Sequence, residues 1–178
     1  MPLNLLKKYP ELLEIAHMSE ADRNSSLYAI FNRDFVQNDN LYFQGKKVRP
    51  IKGEDGAIAM DVLFQHLTTS SDKEKSSLNR NARTFEMARS CRLHWIRYHI
   101  DKSAGKGVKI FSCEERDQKR RKDVIRTYIF DVDQKYVIIL EPQRSGNDYY
   151  LLTAYYLDRD DGKKQIEKKF KQRMKEVL

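Results

Sequence analysis

Cysteine is scarce in this chain: Cys91 and Cys113 are the two it has. Two cannot build a disulfide framework, and they stand in no metal-type cluster. A reducing cytoplasm is the expected compartment. Glycine is nearly as sparse, with seven residues. None lies in a phosphate-binding loop or a dinucleotide fingerprint, and no serine elbow or H-E-x-x-H is present. No carboxylate cluster offers a metal site. No apolar run approaches the roughly 20 residues that cross a bilayer. The opening M-P-L-N-L-L-K-K lacks the apolar core of a signal peptide. The chemistry expected is therefore free of cofactor and metal, with no membrane partner.

What is present is charge. The 178 residues are 40% hydrophobic and 34% charged, which fits one domain or one domain with a helical attachment. The formal net charge is +8 and the pI about 9.4. Such an excess implies a polyanionic partner, because neutralised phosphates release their counterions. Two stretches concentrate it: Arg116–Lys122, which contains Arg120 and Arg121, and the C-terminal run from Lys163. A charge run can equally be a solvated face.

Asp39–Lys47 reads D-N-L-Y-F-Q-G-K-K, close to the peptide that a plant-virus protease cuts to remove purification tags. No histidine run or Gly/Ser linker precedes it, and a β-prone segment follows directly. Leu41-Tyr42-Phe43 closed by Gly45 reads as a strand entering a turn, which favours native sequence over a tag remnant.

Apolar spacing organises the rest. Pro10 with Leu12, Leu13 and Ile15 predicts a first helix. Ser19 and Asp22 cap a second that carries Leu27, Ile30 and Phe31. Leu41–Ile51 is β-prone. Met60, Leu63, Phe64 and Leu67 predict a helix that stops at T-T-S-S. Residues 1–69 thus form an N-terminal helical and β accessory segment, and 70–83 a polar loop. Residues 84–178 form an α+β core: a helix over Thr84–Lys102, four strands, and a basic amphipathic helix over Lys163–Val177. The strands centre on Val108–Phe111, Val124–Phe130, Tyr136–Leu140 and Tyr149–Leu157. Short turn-rich connections predict a four-stranded antiparallel sheet with helices on one face.

Histidine, arginine, threonine and tyrosine suit metal-free RNA cleavage. There the 2′-hydroxyl attacks its own phosphorus, and the protein moves protons and stabilises charge. R-L-x-W-I at Arg92–Ile96, Y-V-I-I-L at Tyr136–Leu140 and Y-Y-L-L-T-A-Y at Tyr149–Tyr155, with the trailing lysine-rich helix, resemble the phage-associated nucleases grouped with barnase, EndoU, colicin and RelE. The resemblance spans roughly Phe64–Phe170. It implies a metal-independent ribonuclease fold of prophage or toxin type. RNA would be the partner, with a cognate inhibitor or a phage particle protein as further partners.

On that resemblance His66, in H-L-T, is the proton-transfer residue and Arg92 the phosphate ligand. Thr153 and Tyr155, two apart on one strand, supply the hydroxyls. Arg97, Arg126, Tyr128, Arg120 and Arg121 are substrate-binding candidates. Each has a structural alternative: a helix-end histidine, surface arginines, a threonine and tyrosines packed in a sheet. His94 and His99, five apart, fall on different helix faces and rank below His66. A catalytically silent RNA- or DNA-binding module and a phage morphogenesis protein are the rival functions.

Overall fold

The computed structural model describes residues 3–38, 40–50, 59–71, 83–102 and 105–178. A 3-10 turn (Leu3–Leu6) leads to helix α1 (Glu20–Phe31), which runs on into a π-helical turn (Asn32–Val36). Strands β1 (Tyr42–Phe43) and β2 (Lys46–Pro50) follow, then helix α2 (Ala59–Thr68) and the short strands β3 (Thr69–Ser71) and β4 (Arg83–Phe85). Helices α3 (Met87–Ser90) and α4 (Trp95–Asp101) precede four longer strands. These are β5 (Val108–Asp117), β6 (Lys122–Asp131), β7 (Tyr136–Pro142) and β8 (Asp148–Tyr156), and helix α5 (Asp160–Lys171) comes last.

The α+β class fits, but the sheet does not match the expected four antiparallel strands. It has six, in the order β1-β2-β8-β7-β6-β5, and β2 runs parallel to β8. The two added strands come from the Asp39–Lys47 neighbourhood. Tyr42 faces Lys47 and Phe43 faces Lys46 across a two-residue turn, with Gln44 at φ 49° and Gly45 at φ 77°. That is the left-handed geometry that matches strand twist in a tight hairpin. Phe43 is fully buried, edge to face with Tyr149 at 5.4 Å between ring centroids. Residues 42–47 are an integral part of the sheet.

Nor do the helices share one face. Alternation along β5–β8 sends Ile129, Tyr136, Ile138, Leu140 and Leu151 to one side, where they pack with Leu27, Phe31, Leu63 and Trp95. Phe111, Tyr128, Phe130 and Val137 go to the other side, under Ile166 and Phe170 of α5. Acidic Asp160 and Asp161 open α5 and Lys168, Lys169 and Lys171 close it, as the helix dipole prefers. The helix stops six residues short of the expected Val177. Beyond it the Met174 amide donates to Ser112 O at 2.8 Å, so the chain lies along the β5 edge instead.

Two predicted helices are also revised. Around Pro10 the backbone is not helical. Its donors are taken elsewhere: Leu13 N bonds Cys91 O at 2.9 Å, and Glu14 N bonds Asn4 Oδ1 at 2.8 Å. The Thr84–Lys102 helix divides into β4, α3 and α4. At the break, Arg92, Leu93, Trp95 and Ile96 all bond three residues back, and the tighter winding keeps the apolar spacing nearly helical. The Ser19 cap is as expected, with Ser19 Oγ accepting from Asp22 N at 3.2 Å.

Candidate functional site

The pairing of β2 with β8 ends at Pro50↔Leu151, and Pro50 has no amide hydrogen to extend the ladder. Directly beyond it the β7–β8 register slips: Ile139 faces Thr153 and Leu140 faces Leu151, which leaves Leu152 as an extra residue. Such a bulge bends a strand and re-aims its side chains. Simple alternation puts Leu152 and Thr153 on opposite faces, yet both line one cleft on the α5 side of the sheet.

The cleft holds about 400 Å³. Five cationic side chains line it (Arg83, Arg89, Lys119, Arg120 and Arg126) against two carboxylates, Asp117 and Glu141. His66 from the last turn of α2 and Thr153 from the bulge complete its polar wall. Ile139 and Leu152 supply apolar surface.

Arg89 organises this wall. Its Nη1 donates to His66 O at 2.7 Å, Thr69 O at 3.0 Å and Thr153 Oγ1 at 3.2 Å. The first two are carbonyls at the C-terminal end of α2, where a cation complements the helix dipole. Its Nε lies 3.2 Å from Glu86 Oε2, and the guanidinium stands 5.9 Å from the Tyr155 ring centroid. One arginine therefore ties the end of α2, the bulge and Tyr155 together.

His66 is half-buried. Burial lowers its pKa, and Arg83, Arg89 and Lys119 push the same way, while the Leu152 backbone opposes them. The imidazole is neutral near pH 7 and surrounded by positive charge. An anion bound there cancels the cationic field and raises its proton affinity.

At the far side, Arg126 Nη2 donates to Asp117 Oδ2 at 3.0 Å and Arg120 Nη1 to Glu141 Oε1 at 2.7 Å. The Arg120 amide, with Arg126 and Arg120 side chains nearby, holds the Asp117 carboxyl below its ordinary pKa. The two carboxylates hold these guanidinium groups in position and offset part of the charge an incoming anion would meet.

The structure brings His66, Thr153, Arg120 and Arg126 together. Tyr155 lies beside them, mostly buried, with its hydroxyl pKa raised chiefly by burial. Arg92 is elsewhere: it stacks on Tyr156 at 3.9 Å and donates to Ala88 O at 2.6 Å, on the Trp95 side of the sheet. The tight turn after α3 carries it there, away from Arg89. Arg97 donates to the carbonyls of Asp34, Asn38 and Asn40, at 2.8–3.1 Å, and so holds the chain ahead of β1. Arg121 is exposed in the β5–β6 turn at φ 52° and does not line the cleft. Tyr128 is buried, and its hydroxyl donates to Glu115. His94 and His99 are buried on the opposite side of the sheet; His99 Nε2 is 3.3 Å from Asp131 Oδ2, which also accepts from Tyr9 Oη at 2.7 Å.

No family model, curated protein or solved structure matches this chain. What the cleft can do follows from its own groups. Sequence reasoning missed Arg83 and Arg89, which matter most to the His66 environment. The one local signal was Glu86-x-x-Arg89, an i,i+3 ion-pair spacing common on any helix. Among the described residues, no three of histidine, cysteine, aspartate and glutamate gather as metal ligands, and no helix is long and apolar enough to cross a membrane.

Proposed function

We propose that the chain is a metal-independent endoribonuclease of the prophage or toxin type, with its active centre in the cleft around His66. One observation carries the reading. A neutral imidazole, the Thr153 hydroxyl and the guanidinium groups of Arg83, Arg89 and Arg126 line a single open cleft. Arginine forks suit phosphate oxygens, and their charge is worth most on a half-buried surface where water screens it poorly. His66 would accept the proton of the attacking 2′-hydroxyl; as the P–O2′ bond forms the P–O5′ bond breaks, and the 5′-oxygen leaves with a proton from the protonated His66 or from water. Arg89 and Arg126 would hold the non-bridging oxygens as charge builds on them, and Thr153 would orient the phosphate. Arg89 takes the role that the R-L-x-W-I resemblance assigned to Arg92.

The test is total RNA incubated in EDTA with the wild-type protein, His66→Ala and Arg89→Ala. Cleavage by the wild type that both variants lose supports the proposal. A second reading, a nucleic-acid-binding module without catalysis, draws on the cleft's single imidazole: among its lining residues no second histidine stands ready as the complementary proton carrier. Intact RNA at high protein concentration, together with salt-sensitive binding, would favour that module.

A further inference from the structure

A second groove, of about 810 Å³, runs along the other side of β3 and β4. Adjacent residues divide between the two hollows: Gln65 and Thr69 line the groove, His66 and Ser70 the cleft, and Arg83 lines both. Arg83 straddles the divide by donating from Nε to Thr69 Oγ1 at 2.7 Å and from Nη2 to Thr69 O at 2.8 Å.

The opposite wall belongs to α1. Asn24 and Tyr28 lie four residues apart and so share one stripe of the helix. Tyr28 is 47% exposed. It is nonetheless fixed, in a T-shaped contact with Phe64 at 5.5 Å. An exposed but braced aromatic, the primary amides of Asn24, Asn32 and Gln65, and a cation shared with the cationic cleft are what a base-reading surface needs. Every base has a π-face to stack, and amides offer a donor and an acceptor to its edge. Glu20, the carboxylate in the lining, disfavours a polyphosphate in the groove but can accept from an exocyclic amino group.

We propose that this groove is a nucleobase subsite. A single-stranded RNA whose phosphodiester sits in the cleft passes over Arg83 and lays a flanking base on Tyr28, within reach of Asn24 and Gln65. The inference rests on the cleft being a phosphodiester site, and it adds the substrate class: single-stranded RNA, since duplex bases are stacked out of reach.

The experiment is equilibrium binding of a short fluorescent 2′-O-methyl oligonucleotide, which cannot be cleaved, and of the same backbone carrying abasic positions. Wild type, Tyr28→Ala, Tyr28→Phe and Arg89→Ala are compared across a salt series. Tyr28→Ala should weaken binding of the base-bearing strand roughly 5- to 100-fold and leave the abasic strand unaffected. It should not change the salt slope, and Tyr28→Phe should restore affinity. Arg89→Ala should lower the salt slope by about one for both strands. Equal affinities of Tyr28→Ala and wild type for the base-bearing strand overturn the subsite, as does an equal loss on the abasic strand. Wild-type protein that binds neither strand overturns the cleft reading and the subsite with it. Tyr28-dependent binding without cleavage of ordinary RNA removes the nuclease and leaves the subsite standing.

Discussion

His94 gives the sharpest test of how burial sets the acid stability of this protein. The residue is 5% exposed. Burial, assisted by Arg33 and opposed by Asp34 and by the Glu11 and Lys8 backbone, moves its pKa from 6.5 to about 4. Between those values the unfolded chain binds a proton that the folded chain resists. The contribution of His94 to stability is therefore complete above about pH 6.5 and is lost as the pH falls towards 4. The gap, 6.5 − 4 = 2.5 pH units, is worth roughly 3.4 kcal/mol at about 1.36 kcal/mol per unit. Some 2.5 kcal/mol of it, roughly, is gone by about pH 4.5. Urea unfolding of wild type and His94→Gln at several values between about pH 4.5 and 7.5 measures this directly. His66 and His99 are also depressed, mainly by burial, so the wild-type slope includes their protons as well. The variant should lose up to about 1.4 kcal/mol per pH unit of that slope, whatever its stability at neutral pH. Parallel stability–pH curves for the two proteins would refute the reasoning.

Three other outcomes are expected. The His66 imidazole, followed by NMR, should titrate below 6.5 in the free protein and move upward when a non-cleavable oligonucleotide binds, because the phosphates cancel the field of Arg83 and Arg89; an unmoved titration would place the anion elsewhere. Arg89→Ala should destabilise the fold by about 3 kcal/mol in chemical denaturation, since it strips a half-buried cation from two helix-end carbonyls and from Thr153; a loss below about 1 kcal/mol would make the guanidinium a surface group. Phe43→Ala should cost roughly 3–5 kcal/mol by removing a fully buried ring against Tyr149, and a near-neutral result would detach β1 from the core.

The strands of the second half were legible because each carries its own alternation and neighbours along the chain pair through short turns. Helix α2 was legible from its apolar spacing, and α1 from its cap. The parallel union of β2 with β8 was not. It joins Lys47 to Asp148, about a hundred residues away, and nothing local in either segment names the partner. Without it the sheet reads as four antiparallel strands. The bulge at Leu152 was equally hidden, since a single extra residue leaves the composition of L-L-T-A-Y unchanged while bringing Leu152 into the cleft beside Thr153. Arg92, preferred over Arg97 in the sequence, lies away from the cleft and Arg89 went unnoticed for a related reason. Arg92 and Arg89 both suit a helix containing Trp95, and only the tight turn at Cys91–His94 sends them to different faces. His66 and Thr153 were accessible because each sits where a regular element ends, and such ends are where polar side chains gather. The polar loop expected over 70–83 lies largely outside the described residues.

The Gln44–Gly45 turn bears on how this protein is handled at the bench. A tag-removing protease must draw several consecutive residues of its target into an extended groove, and here Leu41 and Phe43 are locked into the interior while Gln44 and Gly45 occupy a hairpin bend. The intact molecule should survive such a digestion step. Nicking at that peptide bond would then report local opening of the sheet margin, which makes an ordinary purification reagent a probe of foldedness.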